Sequence, residues 1–232
     1  MLLQSRLGKN MKITARLLVL SALAMIGTST AVHADSRYSD KARCIHPADV
    51  KIVGRIPIAV IAPADITDSL VDRVFAEVEA IWRPTGIAFE WHRVTPTDVP
   101  RAEHLDVAIE EREDDSLVPS NALGWIAFTA DRPGSYIHLS RERAEALIVG
   151  TSNLRDDTSF GHELLIGRAL GRALSHELGH YLLQSKAHTQ RGLMRANWPS
   201  EEIFSINRQG FELSAEQSEA AVSGVQKNAL NW

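Results

Sequence analysis

The chain has 232 residues, with 25 Lys and Arg against 29 Asp and Glu and a formal net charge of −4. This balance argues against a nucleic acid as partner, because nucleic-acid binding requires a basic surface. Cys44 is the single cysteine of the sequence, which excludes an intramolecular disulfide.

Residues 1–34 have the pattern of a signal peptide. Basic residues at the start are followed by an apolar stretch at 17–27, and Val32-His33-Ala34 places small residues at the two positions that a signal peptidase reads. We expect cleavage and export of residues 35–232, to the periplasm or out of the cell, as a single domain. This domain keeps 21 basic and 29 acidic residues, a net charge of about −8, and contains no apolar run long enough for a stable membrane span.

Hydrophobic patterns predict the elements of the first half. In chain order these are a strand at 56–62, a helix that follows Thr67 and runs to Trp82, and strands at 87–91 and 105–109. Thr67 offers an N-cap to the helix, whose apolar residues recur at i, i+3 and i+4. Pro84 and Gly86 end it.

The second half begins with two strands, at 124–128 and 136–139, which we expect to be joined across Arg132-Pro133-Gly134. Ser140 caps a short helix to about residue 148, and a central helix begins near residue 160. The last helix opens at 214–217, where Ser and Gln have the spacing of a capping box.

Small residues form a stripe along the central helix. Gly167, Gly171, Ser175 and Gly179 are spaced four apart, beside leucines at helical spacing. Glycine within a helix costs about 1 kcal/mol relative to alanine. We therefore expect this helix to approach a sheet or another helix closely along the stripe.

The same helix carries two histidines four residues apart, His176 and His180. At 3.6 residues per turn they lie on one face, so both imidazoles can point at one metal ion. Glu177 lies about 100° around the helix from His176, where its carboxylate can take a proton from a water held by the ion. A catalytic zinc needs three protein ligands, and His188 is the obvious third, since the chain must turn back after the helix.

The residues that resemble a known family form a run of motifs, His176-Glu177-Leu178-Gly179-His180, His188-Thr189 and Gly192-Leu193-Met194. This run is similar to that of the metzincin zinc peptidases, and most of all to their matrixin branch. The resemblance implies that His176, His180 and His188 bind Zn²⁺, that Glu177 is the general base, and that Met194 belongs to a turn below the metal.

The sequence departs from the metzincin motif in its spacing. Seven residues separate His180 from His188 where the family has five, and Leu183 takes the place of the glycine that ends the family's helix. We expect the helix to end later, around 185–187, with a non-glycine residue in the turn. In gluzincins the third ligand is a glutamate farther downstream, and Glu201 or Glu202 lies at about that distance. His188 is preferred because Leu193-Met194 follows it at the metzincin spacing.

The resemblance also implies a fold and an activity. The fold is α+β and metzincin-like, with a mixed twisted sheet of four to five strands, a long N-terminal helix, a central active-site helix and a C-terminal helix. The activity is a zinc-dependent peptidase, and the strand at 124–128 would be a sheet edge to which an extended polypeptide can add. Two alternatives stay open: a zinc hydrolase acting on a non-peptide amide or cell-envelope material, and a non-catalytic envelope protein stabilised by zinc.

Overall fold

The computed structural model describes residues 50–94, 105–110, 122–151 and 158–228. All of them belong to the unit Cys44–Trp232. The predicted signal peptide and Cys44 lie outside the described residues. The elements, in chain order, are β1 (Gly54–Ile61), α1 (Asp68–Trp82), β2 (Ile87–Val94), β3 (Leu105–Glu110), β4 (Gly124–Thr129), β5 (Arg132–Ser140), α2 (Arg141–Gly150), α3 (Ser159–Leu183), α4 (Ser200–Phe204) and α5 (Ala215–Asn228).

The five strands form one mixed sheet in the order β2-β1-β3-β5-β4. Four of them are parallel, and β4 alone runs antiparallel, as a hairpin with β5. The predicted α+β class and mixed sheet are confirmed. Strand β4 lies at the edge of this sheet, as predicted, and it also packs against α3.

The turn of the β4–β5 hairpin differs from the prediction. It is formed by Ala130 and Asp131, which have φ values of 46° and 67°. Arg132, Pro133 and Gly134 belong to β5 instead. Neither turn residue is the glycine that a left-handed conformation favours, and the stronger turn signal in the sequence is the Pro133-Gly134 pair three positions later.

Helix α1 forms as its sequence predicts. The Thr67 hydroxyl accepts a hydrogen bond from the Leu70 N–H at 3.1 Å. After Trp82 the chain makes a short 3-10 turn, Arg83–Thr85, and leaves through Gly86 at φ 77°. A side chain at Gly86 would also meet the Lys51 carbonyl, so glycine is required there for both conformation and space.

The stripe of small residues on α3 brings it against α1. A Cβ placed at Gly167 would lie 2.6 Å from the Arg73 Cβ, and one at Gly171 would lie 2.9 Å from the Val74 carbonyl oxygen. The expected close approach is confirmed, and it is helix against helix. Helix α3 also packs on β4 and β5, which makes it the centre of the apolar core.

Helix α3 ends earlier than expected. Its last residue is Leu183, because Gln184 adopts the left-handed conformation with φ 49°. The backbone N–H groups of Gln184 and Ser185 donate to carbonyls of the last turn, those of Tyr181 and His180. The expected end around 185–187 is therefore wrong, whereas the non-glycine residue in the turn is confirmed.

The C-terminal segment contains one element that the sequence did not indicate and one that it did. Helix α4 is a single short turn. The capping box of α5 is confirmed, since the Ser214 N–H donates to Gln217 Oε1 at 3.0 Å and the Gln217 N–H donates to Ser214 Oγ at 3.2 Å. In the described part of the chain, no helix has the length and apolarity needed to cross a bilayer.

Candidate metal centre

Three histidine side chains converge at the C-terminal end of α3. His176 and His180 are buried, and their Nε2 atoms lie 3.0 Å apart. His188 reaches them from the loop that follows the helix, with its Nε2 atom 3.3 Å from that of His176. The candidate ligand atoms of the three residues all lie within 4.8 Å of one another. The structure thus brings together the three histidines that the sequence singled out.

The return of the chain below these histidines is built from backbone hydrogen bonds. The Thr189 N–H donates to the Met194 carbonyl at 2.8 Å, and the Leu193 N–H donates to the Glu212 carbonyl at 2.8 Å. Gly192 has φ 78°, which glycine adopts at little cost. Met194 is buried beneath α3, where its sulfur fills the space beside Gly179.

Backbone carbonyls fix the tautomers of the two buried rings. His176 Nδ1 lies 2.8 Å from the Leu193 oxygen, and His180 Nδ1 lies 2.7 Å from the Ser185 oxygen. Because a carbonyl only accepts, each Nδ1 must carry the proton and each Nε2 presents a lone pair. Burial favours the neutral rings, since it lowers the pKa of His176 to about 4 and also lowers the pKa of His180.

This donor set fits a zinc ion. Two bare Nε2 lone pairs at 3.0 Å repel each other unless a cation lies between them. A tetrahedral zinc with Zn–N bonds of about 2.0–2.1 Å holds its nitrogen ligands roughly 3.3 Å apart. The separations of 3.0 and 3.3 Å are close to that value.

Glu177 lies beside the histidines and outside their cluster. The residue is 7% exposed, and its carboxylate accepts a hydrogen bond from the backbone N–H of Ile126 on β4. Burial raises the pKa of this carboxyl to about 8, against the smaller opposite effect of the Ile126 bond. The side chain therefore faces the edge strand.

The alternative third ligands are placed elsewhere. The carboxylate of Glu202 pairs with Arg195. Glu201, in the first turn of α4, is exposed. Among the described residues the histidine cluster includes neither glutamate.

Two aromatic side chains that sequence reasoning missed contact the buried histidines. Trp198 stands perpendicular to His176, with ring centroids 5.1 Å apart. Phe128 of β4 stands perpendicular to His180, with centroids 5.9 Å apart. Both contacts join segments distant in sequence, so no local pattern pointed to them; the position of Trp198 shortly after the Met194 turn was the only available signal.

No protein-family model and no curated protein matches this chain. Among the solved structures that are similar to it in part are two metallopeptidases. One is an archaemetzincin from Methanopyrus kandleri, with 14% identity and a TM-score of 0.46 over 74% of this chain and 96% of the other. The other is metalloproteinase-II from Bacteroides fragilis, with 10% identity and a TM-score of 0.45 over 77% of this chain and 55% of that protein, so this chain spans about half its length. Similarity at this level assigns no function, and the functional argument rests on the histidine site.

Proposed function

We propose that this chain is an exported zinc-dependent metallopeptidase. The observation that carries the proposal is the convergence of three histidine Nε2 atoms next to a buried carboxylate that is not part of their cluster. A structural zinc site has four protein ligands and no need of a free acid beside it. Export rests on the signal-peptide pattern of residues 1–34.

His176, His180 and His188 are the residues that would hold the ion. When bound, zinc supplies a Lewis acid that polarises a carbonyl and lowers the pKa of a water towards neutrality. The Leu193 and Ser185 carbonyls keep the Nε2 atoms of the two buried rings directed at the ion. His188 is exposed, so the site opens to solvent on its side.

Glu177 moves the proton. Its carboxylate takes a proton from the attacking water and passes it to the leaving nitrogen. Because a base must be ionised to accept a proton, this role requires that a cation at the histidines offset the effect of burial on the carboxyl. The bond from the Ile126 N–H keeps the carboxylate on the β4 side of the helix.

The edge strand supports a polypeptide as substrate. Among the described residues, one side of β4 has no strand partner. An extended peptide can add to such an edge through main-chain hydrogen bonds. Phe128 and Ile126 of the same strand contact His180 and Glu177, so a peptide on this edge would lie beside the proposed ligands and base.

The test uses residues 35–232 and a fluorogenic peptide library, with zinc content measured in parallel. We expect about one zinc per chain, cleavage that a chelator abolishes, and a Glu177→Gln variant that keeps zinc and loses cleavage. Full cleavage by that variant would reject Glu177 as the base. Bound zinc without cleavage of any peptide would reject the peptidase and favour a hydrolase of other amides or a non-catalytic zinc protein.

A further inference from the structure

The indole of Trp198 packs against the buried imidazole of His176. The two rings are perpendicular, at 87°, with centroids 5.1 Å apart. In the described part of the chain the buried Nε1–H of Trp198 has no hydrogen-bond partner. Ring contacts therefore hold this indole in place.

Two further groups fix the orientation of Trp198. Phe211, which is 1% exposed, stacks on the indole with centroids 5.3 Å apart and an interplanar angle of 20°. The guanidinium of Arg195 lies 5.7 Å from the indole centroid and also pairs with Glu202. The indole thus has an aromatic ring on one side and a cation near it, both from the segment that follows α3.

The ring of Phe211 packs in turn against a buried cation, the guanidinium of Arg172. The guanidinium of Arg172 lies 4.3 Å from the centre of its ring. Arg172 is fully buried and donates to Glu77 Oε1 at 2.8 Å. It also donates to the carbonyls of Ser205 at 2.8 Å and Asn207 at 3.0 Å, just after α4. One side chain of α3 therefore anchors the segment that supports the indole.

The His176 imidazole is held by one hydrogen bond, from Nδ1 to the Leu193 carbonyl, and by three ring contacts. The centroids of His180, His188 and Trp198 lie 4.6, 5.2 and 5.1 Å from its own. His180 and His188 are themselves proposed ligands, so the perpendicular indole of Trp198 is the contact that can restrict the ring from outside the ligand set. We propose that Trp198 is a positioning residue of the metal centre, which holds the His176 imidazole in the plane that directs Nε2 to the ion.

This proposal rests on the zinc-binding part of the proposed function and is independent of the peptidase activity. The test compares Trp198→Leu, which keeps apolar volume without a ring, with Trp198→Phe, which keeps a smaller ring. Trp91→Leu and Trp91→Phe are the matched controls, since Trp91 is also partly buried but stacks on Phe75 at the far edge of the sheet. The measurements are zinc affinity by chelator competition, the visible spectrum of the Co²⁺-substituted protein, and the melting temperature of the metal-free protein.

Wild type must bind zinc first; if it does not, both proposals fall together. Loss of an outer partner of a metal ligand costs roughly 10–100-fold in affinity, so we expect that loss for Trp198→Leu and about threefold to tenfold for Trp198→Phe. The Co²⁺ bands should shift in the Trp198 variants and stay unchanged in the Trp91 controls, whereas a purely structural role would lower the metal-free melting temperature alone.

Wild-type zinc affinity and an unchanged Co²⁺ spectrum in both Trp198 variants would overturn the positioning role while leaving the peptidase proposal intact. If Trp198→Leu does not fold, the same result in Trp198→Phe alone would overturn it. Conversely, zinc affinity that falls as expected in a protein that cleaves no peptide supports the positioning role and rejects the peptidase.

Discussion

Met194 lies so close to Gly179 that the helix has no room for a side chain there. A Cβ at Gly179 would collide with the Met194 sulfur, and its distance to the methyl carbon would be 3.1 Å. Gly179 lies between Glu177 and His180 in the sequence, so through this contact the Met194 turn packs directly beneath the proposed ligands. Leu193 of the same turn supplies the carbonyl that orients His176.

Gly179→Ala should therefore lower both stability and zinc affinity. Overpacking a filled core site costs about 1–3 kcal/mol, which exceeds the roughly 1 kcal/mol that alanine gains in helix propensity. Urea unfolding of the metal-free variant measures the first effect and chelator competition the second. Gly150→Ala is the control, because a Cβ there meets nothing within 4 Å. Equal behaviour of the two variants would contradict a tight Gly179–Met194 contact.

The third ligand can be assigned by comparing His188→Ala with Glu202→Gln. His188 Nε2 lies 3.3 Å from His176 Nε2, whereas the Glu202 carboxylate pairs with Arg195. We expect His188→Ala to weaken zinc binding by more than the roughly 100-fold that an outer partner costs, and Glu202→Gln to change it little. Calorimetric titration with zinc checks this. A larger loss for Glu202→Gln would move the assignment to the downstream glutamate.

Local sequence signals predicted much of this structure. The Thr67 cap and the capping box that starts at Ser214 each act within four residues, so the pattern alone located them. The pair His176 and His180 is equally local, since helix geometry sets their common face. The prediction of His188 as third ligand needed only the added assumption that the chain turns back after the helix.

Contacts between distant segments were not predictable in this way. Trp198 meets His176 only because Phe211 and Arg172 hold the C-terminal segment against α3. Arg172 did leave a signal, since it lies four residues before His176 on the same face of α3, where a cation flanked by apolar and small residues needs a buried partner. The identity of that partner, Glu77, follows only from the packing of α1 on α3.

The stability of the metal-free protein should depend on pH through Glu177. Burial raises the pKa of this carboxyl in the folded protein to about 8, against 4.5 for a solvated glutamate, so the unfolded chain loses its proton first as pH rises. The buried Glu177 therefore does not lower the free energy of unfolding below about pH 4.5. Above that pH it lowers the free energy of unfolding increasingly, by a few kcal/mol at about pH 8. Glu177→Gln removes this destabilisation, because the amide does not ionise. In chelator-treated protein we expect the variant to gain stability over wild type from pH 4.5 to 8 in urea unfolding; parallel pH profiles would contradict the burial effect.

The ion pair between Arg172 and Glu77 should be the costliest polar interaction to break in the described core. Arg172 is fully buried and Glu77 is 5% exposed, and Glu77 also accepts from Arg208 at 2.7 Å. Arg172→Met leaves the Glu77 carboxylate with one partner and several carbonyls without a donor, so we expect a loss of about 3–5 kcal/mol in urea unfolding. The exposed pair of Arg55 and Glu90 is the control: Arg55→Met should cost about 1 kcal/mol or less.

Because Arg172 also anchors the segment under the proposed metal site, Arg172→Met should lose zinc affinity as well, whereas Arg55→Met should keep it. A destabilised Arg172→Met protein that binds zinc like wild type would separate the core ion pair from the metal centre.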